Sequence, residues 1–156
     1  MPDAARFLVI AEADGSAAEA RWLQAELSEA LADGAETIYA PAPSSDVAAL
    51  WRWRGGVSIA VTAQRGGKVS ENIVVTVDRL AEAVERTLEI GIRHRLPTCS
   101  WGHSGDGNLH STFMIDALDD AELAQAQAAA QELFALAVEL GGSTSGEHGT
   151  AWVKRG

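Results

Sequence analysis

The chain is 156 residues long, with 47% hydrophobic residues and 22 acidic against 12 basic side chains, a formal net charge of −10 at pH 7. That is one domain's worth of chain with enough apolar material for a sizeable core, and its acidic balance speaks against nucleic acid and anionic membrane surfaces as partners. A single cysteine, Cys99, excludes an internal disulfide framework and suits a reducing compartment; with no long apolar run and no leader pattern, the sequence reads as cytoplasmic and without membrane insertion.

In chain order, Arg6-Phe-Leu-Val-Ile-Ala11 is a short apolar run that predicts a strand ending at Asp14-Gly15. Ser16 and Glu19 form a capping box for a helix whose Ala20, Leu23, Leu27, Ala30 and Leu31 share one stripe and which should stop near Gly34. Thr37-Ile-Tyr-Ala40 predicts a second strand. After Pro41 and Pro43, Ser44 or Ser45 can cap a helix carrying Val47, Leu50, Trp51 and Arg54. Gly55-Gly56 and Gly66-Gly67 read as the end of that helix and a mobile loop. A third strand is expected over Asn72 to Val77. Asp78 should then cap a helix with Leu80, Val84, Leu88 and Gly91 inward and Glu82–Arg86 and Glu89–Arg93 as outer i,i+4 pairs. Pro97 closes that unit. Thr98 to His103 and Leu109 to Ile115 predict a hairpin. Asp119 or Asp120 opens a long helix with Leu123, Ala126, Ala130, Leu133, Phe134 and Ala137 on its inner stripe, ending at Gly141-Gly142. This order fits an α+β single domain over residues 1–156, a ferredoxin-like plait with helices on one face of a mostly antiparallel sheet, better than a doubly wound parallel sheet.

The chemistry concentrates in Trp101-Gly-His-Ser-Gly-Asp-Gly-Asn-Leu-His110. If Asp106-Gly107 is a two-residue turn, His103 lies directly opposite His110, on one face with Asn108 and close enough for both imidazoles to grip one metal ion. Ser145-Gly-Glu-His-Gly149 adds a carboxylate and a further histidine, and two His with one Glu make an open metal-ligand set. His94, by contrast, sits in an ordinary charged helix. Cys99 has no basic neighbours in sequence and reads as a small buried apolar residue rather than a nucleophile. The tryptophans, Trp51, Trp53, Trp101 and Trp152, read as core or interface residues.

Gly-His-Ser-Gly-Asp-Gly-Asn-Leu-His and the later Gly-Glu-His-Gly resemble the paired signatures of the C-terminal domain of FAD-linked 2-hydroxyacid oxidoreductases. That family includes D-lactate dehydrogenases, glycolate oxidase flavoprotein subunits and D-2-hydroxyglutarate dehydrogenase. Leu50-Trp-Arg-Trp-Arg54 resembles its Trp-x-x-Arg helix. Lys68-Val-Ser-Glu-Asn-Ile-Val-Val-Thr-Val-Asp-Arg-Leu80 resembles its Lys-x-x-Glu-Asp-Ile-x-Val-Pro strand entry, with Asn72 and Thr76 where the family usually has Asp and Pro. The resemblance implies a divalent metal, Zn or Mn, on His103, His110 and Glu147, and His148 as the general base that takes the hydroxyl proton of a 2-hydroxy acid. It implies Arg54 and Lys68 on the substrate carboxylate and FAD as hydride acceptor. Asn108 would contact flavin or substrate, or else stabilise the turn. No Gly-rich nucleotide fingerprint occurs, so FAD is expected to be held by a separate flavin-binding domain or subunit, and the isolated chain to be colourless and inactive. The chain would then be a fragment or a subunit, with homo-oligomerisation left open. The competing expectation is a non-catalytic metal-binding or protein-interaction module derived from such a domain. Gly105-Asp-Gly-Asn108 as a phosphate cradle is weaker, because no helix is expected to follow it.

Overall fold

The computed structural model of the chain describes residues 7–41 and 44–144. Its contacts divide the chain into two units, residues 1–51 and 52–156. In the first, α1 (Ala17–Ala32) begins with the expected capping box: the Ser16 hydroxyl accepts from the Glu19 backbone N–H, and the Glu19 carboxylate accepts from the Ser16 N–H at 2.9 Å. No residue of α1 is fully buried. Ala20, Leu23, Leu27 and Leu31 form its half-buried line and Ala30 is exposed. The strands expected at 6–11 and 37–40 are not formed among the described residues. A strand exists only where its backbone groups find a ladder, and an apolar run alone does not supply one.

The second unit holds the sheet. Helix α2 (Ser44–Arg65) crosses the division and does not stop at Gly55-Gly56; it runs on to Arg65 and ends at Gly66, whose φ is +84. Two interior glycines cost about 1 kcal/mol each against alanine, which good helix formers on either side offset. Gly66, in the left-handed region, is the residue that terminates it. The helix end and loop expected from residue 55 onward are therefore helix, followed at once by β1 (Gly66–Val74), which is longer at its start than the strand expected from Asn72.

After β1 a single 3-10 turn, Val77–Arg79, leads into α3 (Leu80–His94). Asp78 lies inside that turn, and the capping position of α3 is Arg79, which makes no side-chain cap. Then come β2 (Thr98–His103), β3 (Asn108–Asp116) and α4 (Asp120–Glu139). Asp119 caps α4, its carboxylate accepting from the N–H groups of Ala121 and Glu122 at 2.8 and 3.1 Å. The sheet order is β1-β3-β2 with both pairs antiparallel, and Ser143 adds an antiparallel bridge to Val74 on the outer side of β1. Strand, helix, strand, strand, helix and this last bridge reproduce the connectivity of a ferredoxin-like plait, so the expected α+β class holds, carried by residues 66–144.

Alternation along the strands splits the sheet into two faces. Leu109, Phe113 and Ile115 of β3 and Ile73 of β1 point toward α3 and α4, where they meet Ala83, Ile90, Ala126, Ala129, Leu133, Leu136 and Ala137 in one core. The inner stripe of α3 is Ala83, Thr87, Ile90 and Gly91, one step round from the expected line; Leu88 is exposed, and Leu80 and Val84 pack at the margin. Small residues win that stripe because the helix lies close on the sheet: a Cβ on Gly91 would stand 1.9 Å from Thr98 Oγ1. On α4 the expected stripe is buried except Leu123 at its first turn. Ion pairs lace α3 to α4 across the surface, Arg86 to Glu139 through both oxygens at 2.7 and 2.8 Å, and Arg93 and His94 to Glu132, each at 2.7 Å. Glu82 reaches Arg86 at 3.6 Å as expected, whereas Arg93, expected to pair with Glu89, binds Glu132.

Candidate functional site

The other face of the sheet carries Lys68, Ser70, Asn72 and Val74 of β1, Asn108, His110, Thr112 and Met114 of β3, and Cys99, Trp101 and His103 of β2. Opposed pairs fix this set. Asn72 faces His110, Trp101 faces His110 from the other side, and His103 faces Asn108. His103 is thus not directly opposite His110, as a two-residue turn would require; Ser104 to Gly107 form a longer loop, and the pairing is displaced by two residues. A displacement of two keeps every side chain on its face. The two imidazoles remain neighbours on the diagonal, ring centroids 6.4 Å apart and planes at 67°.

Two hydrogen bonds hold the loop. Asp106 accepts from the Asn108 backbone N–H at 3.0 Å. Gly107 sits at φ +74 with its carbonyl accepting from Val75 N–H at 3.1 Å, and a Cβ there would stand 1.8 Å from the Val75 carbonyl oxygen. Turn stabilisation therefore belongs to the Asp106 side chain and the Asn108 backbone. The Asn108 side chain remains for a different role. It is 5% exposed, and its amide oxygen is buried with no hydrogen-bond partner among the described residues. Native proteins leave few such atoms, and each asks for a partner.

Two residues of α2 reach this face. Arg54 donates from Nη2 to His103 Nε2 at 3.2 Å. Ser58, one turn further, accepts from Lys68 Nζ through its carbonyl at 2.9 Å and its hydroxyl at 2.5 Å. The Lys68 ammonium also lies 5.4 Å from the centroid of the Trp101 ring, whose other neighbour is the His110 imidazole, 6.0 Å away and 28° from parallel. Arg65 anchors the end of α2 by its 2.7 Å pair with Glu122 of α4. Cys99, half-buried beside this cluster, has its thiol pushed up by burial, against a smaller opposing pull from the Lys68 charge, which disfavours the thiolate.

Arg54, Lys68, His103, His110 and Asn108 are thus brought onto one face. Glu147 and His148, with Trp152, lie outside the described residues. The chain heads toward them from Ser143, whose N–H and carbonyl pair with Val74 at 2.8 and 2.9 Å, and Val74 faces Asn108. Two residues escaped the sequence reading. Ser58 is four positions after Arg54 and so shares its helix face, a signal hidden by ending the helix at Gly55. Trp101, expected in a core or interface, is half-buried, with His110 and Lys68 both near its ring, contacts that only the true register reveals. Trp51 and Trp53 are exposed.

The chemistry of the donor set fits a divalent metal in part. Two imidazoles sharing a tetrahedral ion would have centroids about 5 Å apart, whereas these stand 6.4 Å apart with His103 Nε2 bonded to Arg54. No group of three His, Cys, Asp or Glu side chains able to hold an ion occurs among the described residues, and a third ligand must come from elsewhere. No helix among the described residues is long and apolar enough to cross a membrane.

Comparison with known families matches residues 1–155 to the FAD linked oxidases, C-terminal domain. The chain belongs to that family. It is similar to the glycolate oxidase subunit GlcD of Bacillus subtilis, 32% identical over 106 residues, 68% of this chain and 23% of that protein. A D-lactate dehydrogenase of Archaeoglobus fulgidus is 29% identical over 152 residues, 96% of this chain and 31% of its own length. GlcD of Escherichia coli is 47% identical over 47 residues, 30% of this chain and 9% of that protein. The chain thus spans less than a third of the length of each of these relatives.

Proposed function

We propose that this domain supplies the substrate-binding half of an enzyme that oxidises a D-2-hydroxy acid of the lactate, glycolate or 2-hydroxyglutarate class, working with a flavin-binding domain or subunit. The observation that carries the reading is the gathering of two cations and two imidazoles on the sheet face that no core helix covers. Arg54 offers a planar fork suited to a carboxylate, and Lys68, fixed by Ser58, offers a second positive charge. His103 and His110, joined by Glu147, would hold the divalent ion, Zn or Mn. His148 takes the hydroxyl proton in its neutral form. Asn108 turns its buried amide oxygen to flavin or substrate. When bound, the metal supplies Lewis acidity toward the hydroxyl and carboxylate oxygens, and FAD accepts the hydride from carbon 2. The single half-buried cysteine suits a cytoplasmic setting.

The test joins the chain to a flavin domain of the family and mixes it, without oxygen, with D-lactate, glycolate and D-2-hydroxyglutarate. One of them should bleach the flavin. Arg54→Ala and Lys68→Ala should raise its KM more than about tenfold, as expected for a lost charge-assisted bond. Metal analysis of His103→Ala and His110→Ala should show the ion gone. Flavin that stays oxidised with all three acids, in a preparation that still folds and holds FAD, rules the reading out.

A further inference from the structure

Helix α3 turns three different sides to its surroundings. Arg86 and Arg93 face α4, where Glu139 and Glu132 hold them, and Gly91 seats on Thr98 of β2. Going round the helix at about 3.6 residues per turn, Leu88 and Ile92 come next beyond Gly91, on the side away from α4. Both are exposed, Leu88 by 42% and Ile92 by 76%. Exposed Glu85 stands just before them and exposed Arg95, at the helix C-cap, just after. Neither of these two charges has an ion-pair partner among the described residues. The stripe is therefore apolar in the middle, acidic at one end and basic at the other, and electrically balanced in a chain whose net charge is −10. Beside it β2 ends the sheet, with no strand on its outer side among the described residues.

We propose that this stripe is the contact between two copies of the chain, with α3 packed antiparallel on α3 of the second copy. A two-fold contact uses the same patch on both partners, and a stripe with opposite charges at its two ends complements itself when reversed. A two-fold axis through its middle sets Leu88 against Ile92 of the copy and Glu85 against the copy's Arg95. Each apolar side chain is then covered and each free charge paired, twice over. The same axis turns the two open β2 edges antiparallel to one another, the more stable sense of strand pairing. The inference goes beyond the chemistry proposed for the other face of the sheet and is independent of it.

The test is sedimentation equilibrium from about 10 μM to 1 mM, the range for a small, weak interface. The samples are the parent, Ile92→Glu, Glu85→Arg, Arg95→Glu and an equimolar mixture of the last two. Far-UV circular dichroism and urea midpoints check that each variant keeps the fold, and Ile92→Ser takes the place of Ile92→Glu if that variant loses it. The parent should show a monomer–dimer equilibrium. Ile92→Glu puts two charges into the contact at once and should weaken it by roughly a hundredfold. Glu85→Arg and Arg95→Glu each turn two attractive pairs repulsive and should each weaken it by about tenfold. Their mixture should recover the parent's affinity as a heterodimer, because opposite charges then meet again at both ends. A parent that stays monomeric throughout overturns the inference, as does a parent dimer that Ile92→Glu leaves intact. Single swaps that dimerise like the parent, or a mixture no tighter than its components, overturn the antiparallel register on which it rests. A flavin domain of the family that binds the parent but not Ile92→Glu, with the parent alone monomeric, overturns it too and assigns the stripe to that domain.

Discussion

The indole of Trp101 meets two groups: the His110 imidazole stacks on it at 6.0 Å, and the Lys68 ammonium sits 5.4 Å from its centroid. One side chain thereby orients both a candidate ligand and a candidate substrate cation.

Trp101→Ala removes both contacts. An aromatic pair is worth about 0.5–1.5 kcal/mol and an exposed cation–π contact about 0.5–1 kcal/mol, so the chain should lose about 2 kcal/mol. Trp101→Phe, which keeps a ring face, should lose about half of that. Urea unfolding at neutral pH measures the difference. An unchanged midpoint in Trp101→Ala would show that the stack contributes nothing.

The two glycines around Asp106 should respond differently to the same change. Gly105 has open space where a Cβ would stand, whereas Gly107 combines φ +74 with a carbonyl oxygen 1.8 Å from that position. Gly105→Ala should be close to neutral. Gly107→Ala must move the Val75 backbone or the loop, adding to the left-handed strain of about 1–2 kcal/mol, so a loss above about 2 kcal/mol is expected. Thermal unfolding of the pair decides it, and equal melting points would mean that the loop is not pinned to Val75.

Acid should weaken the α3–α4 face in a defined direction. The Arg93 hydrogen bond, then that of His94, holds the Glu132 carboxyl below its ordinary 4.5, and Arg86 does the same to Glu139. A carboxyl lowered by folding contributes stability that is fully present above about pH 4.5 and is lost as pH falls through the lowered value. Both pairs are exposed, so the effect is modest and shrinks with salt. The urea midpoint of the parent should fall more between about pH 5.5 and pH 3 than that of Glu132→Gln/Glu139→Gln. Parallel curves for the two chains would sink the assignment.

What could be read from the sequence depended on whether a signal was local. The Ser16/Glu19 box, the Asp119 cap and the Ala126-to-Ala137 stripe depend on neighbours a few positions away, and all three are present. The face shared by His103, Asn108 and His110 was legible because strand alternation has period two, and the true register differs by two. The register itself was hidden. Asp106-Gly107 is a two-residue turn signal, yet Gly107 is also bound to Val75, a residue from before α3 that local pattern cannot place beside it. The same limit hid the long-range Arg54–His103 contact, and Ser58 was hidden because the helix was expected to end at Gly55-Gly56. The apolar runs at 6–11 and 37–40 carried strand propensity, but propensity does not provide a partner.

His148 and Glu147 offer the sharpest division between chemistry and scaffolding, because the proposal gives adjacent residues separate roles. In the chain joined to its flavin domain, a general base acts only on the chemical step, so His148→Ala should slow flavin reduction by roughly 10²–10⁴-fold with metal content unchanged. Glu147→Ala should lose the metal and the rate together, since it acts through the ion. A base must be unprotonated to work, so the parent's rate should fall in acid, and His148→Ala should lack that dependence. For adjacent residues to serve one site the backbone must turn between them, which the flanking Gly146 and Gly149 permit, so Gly149→Val should impair both roles at once. Equal reduction rates for His148→Ala and parent, both with full metal, would leave Gly-Glu-His-Gly as a turn that positions Glu147 and nothing more.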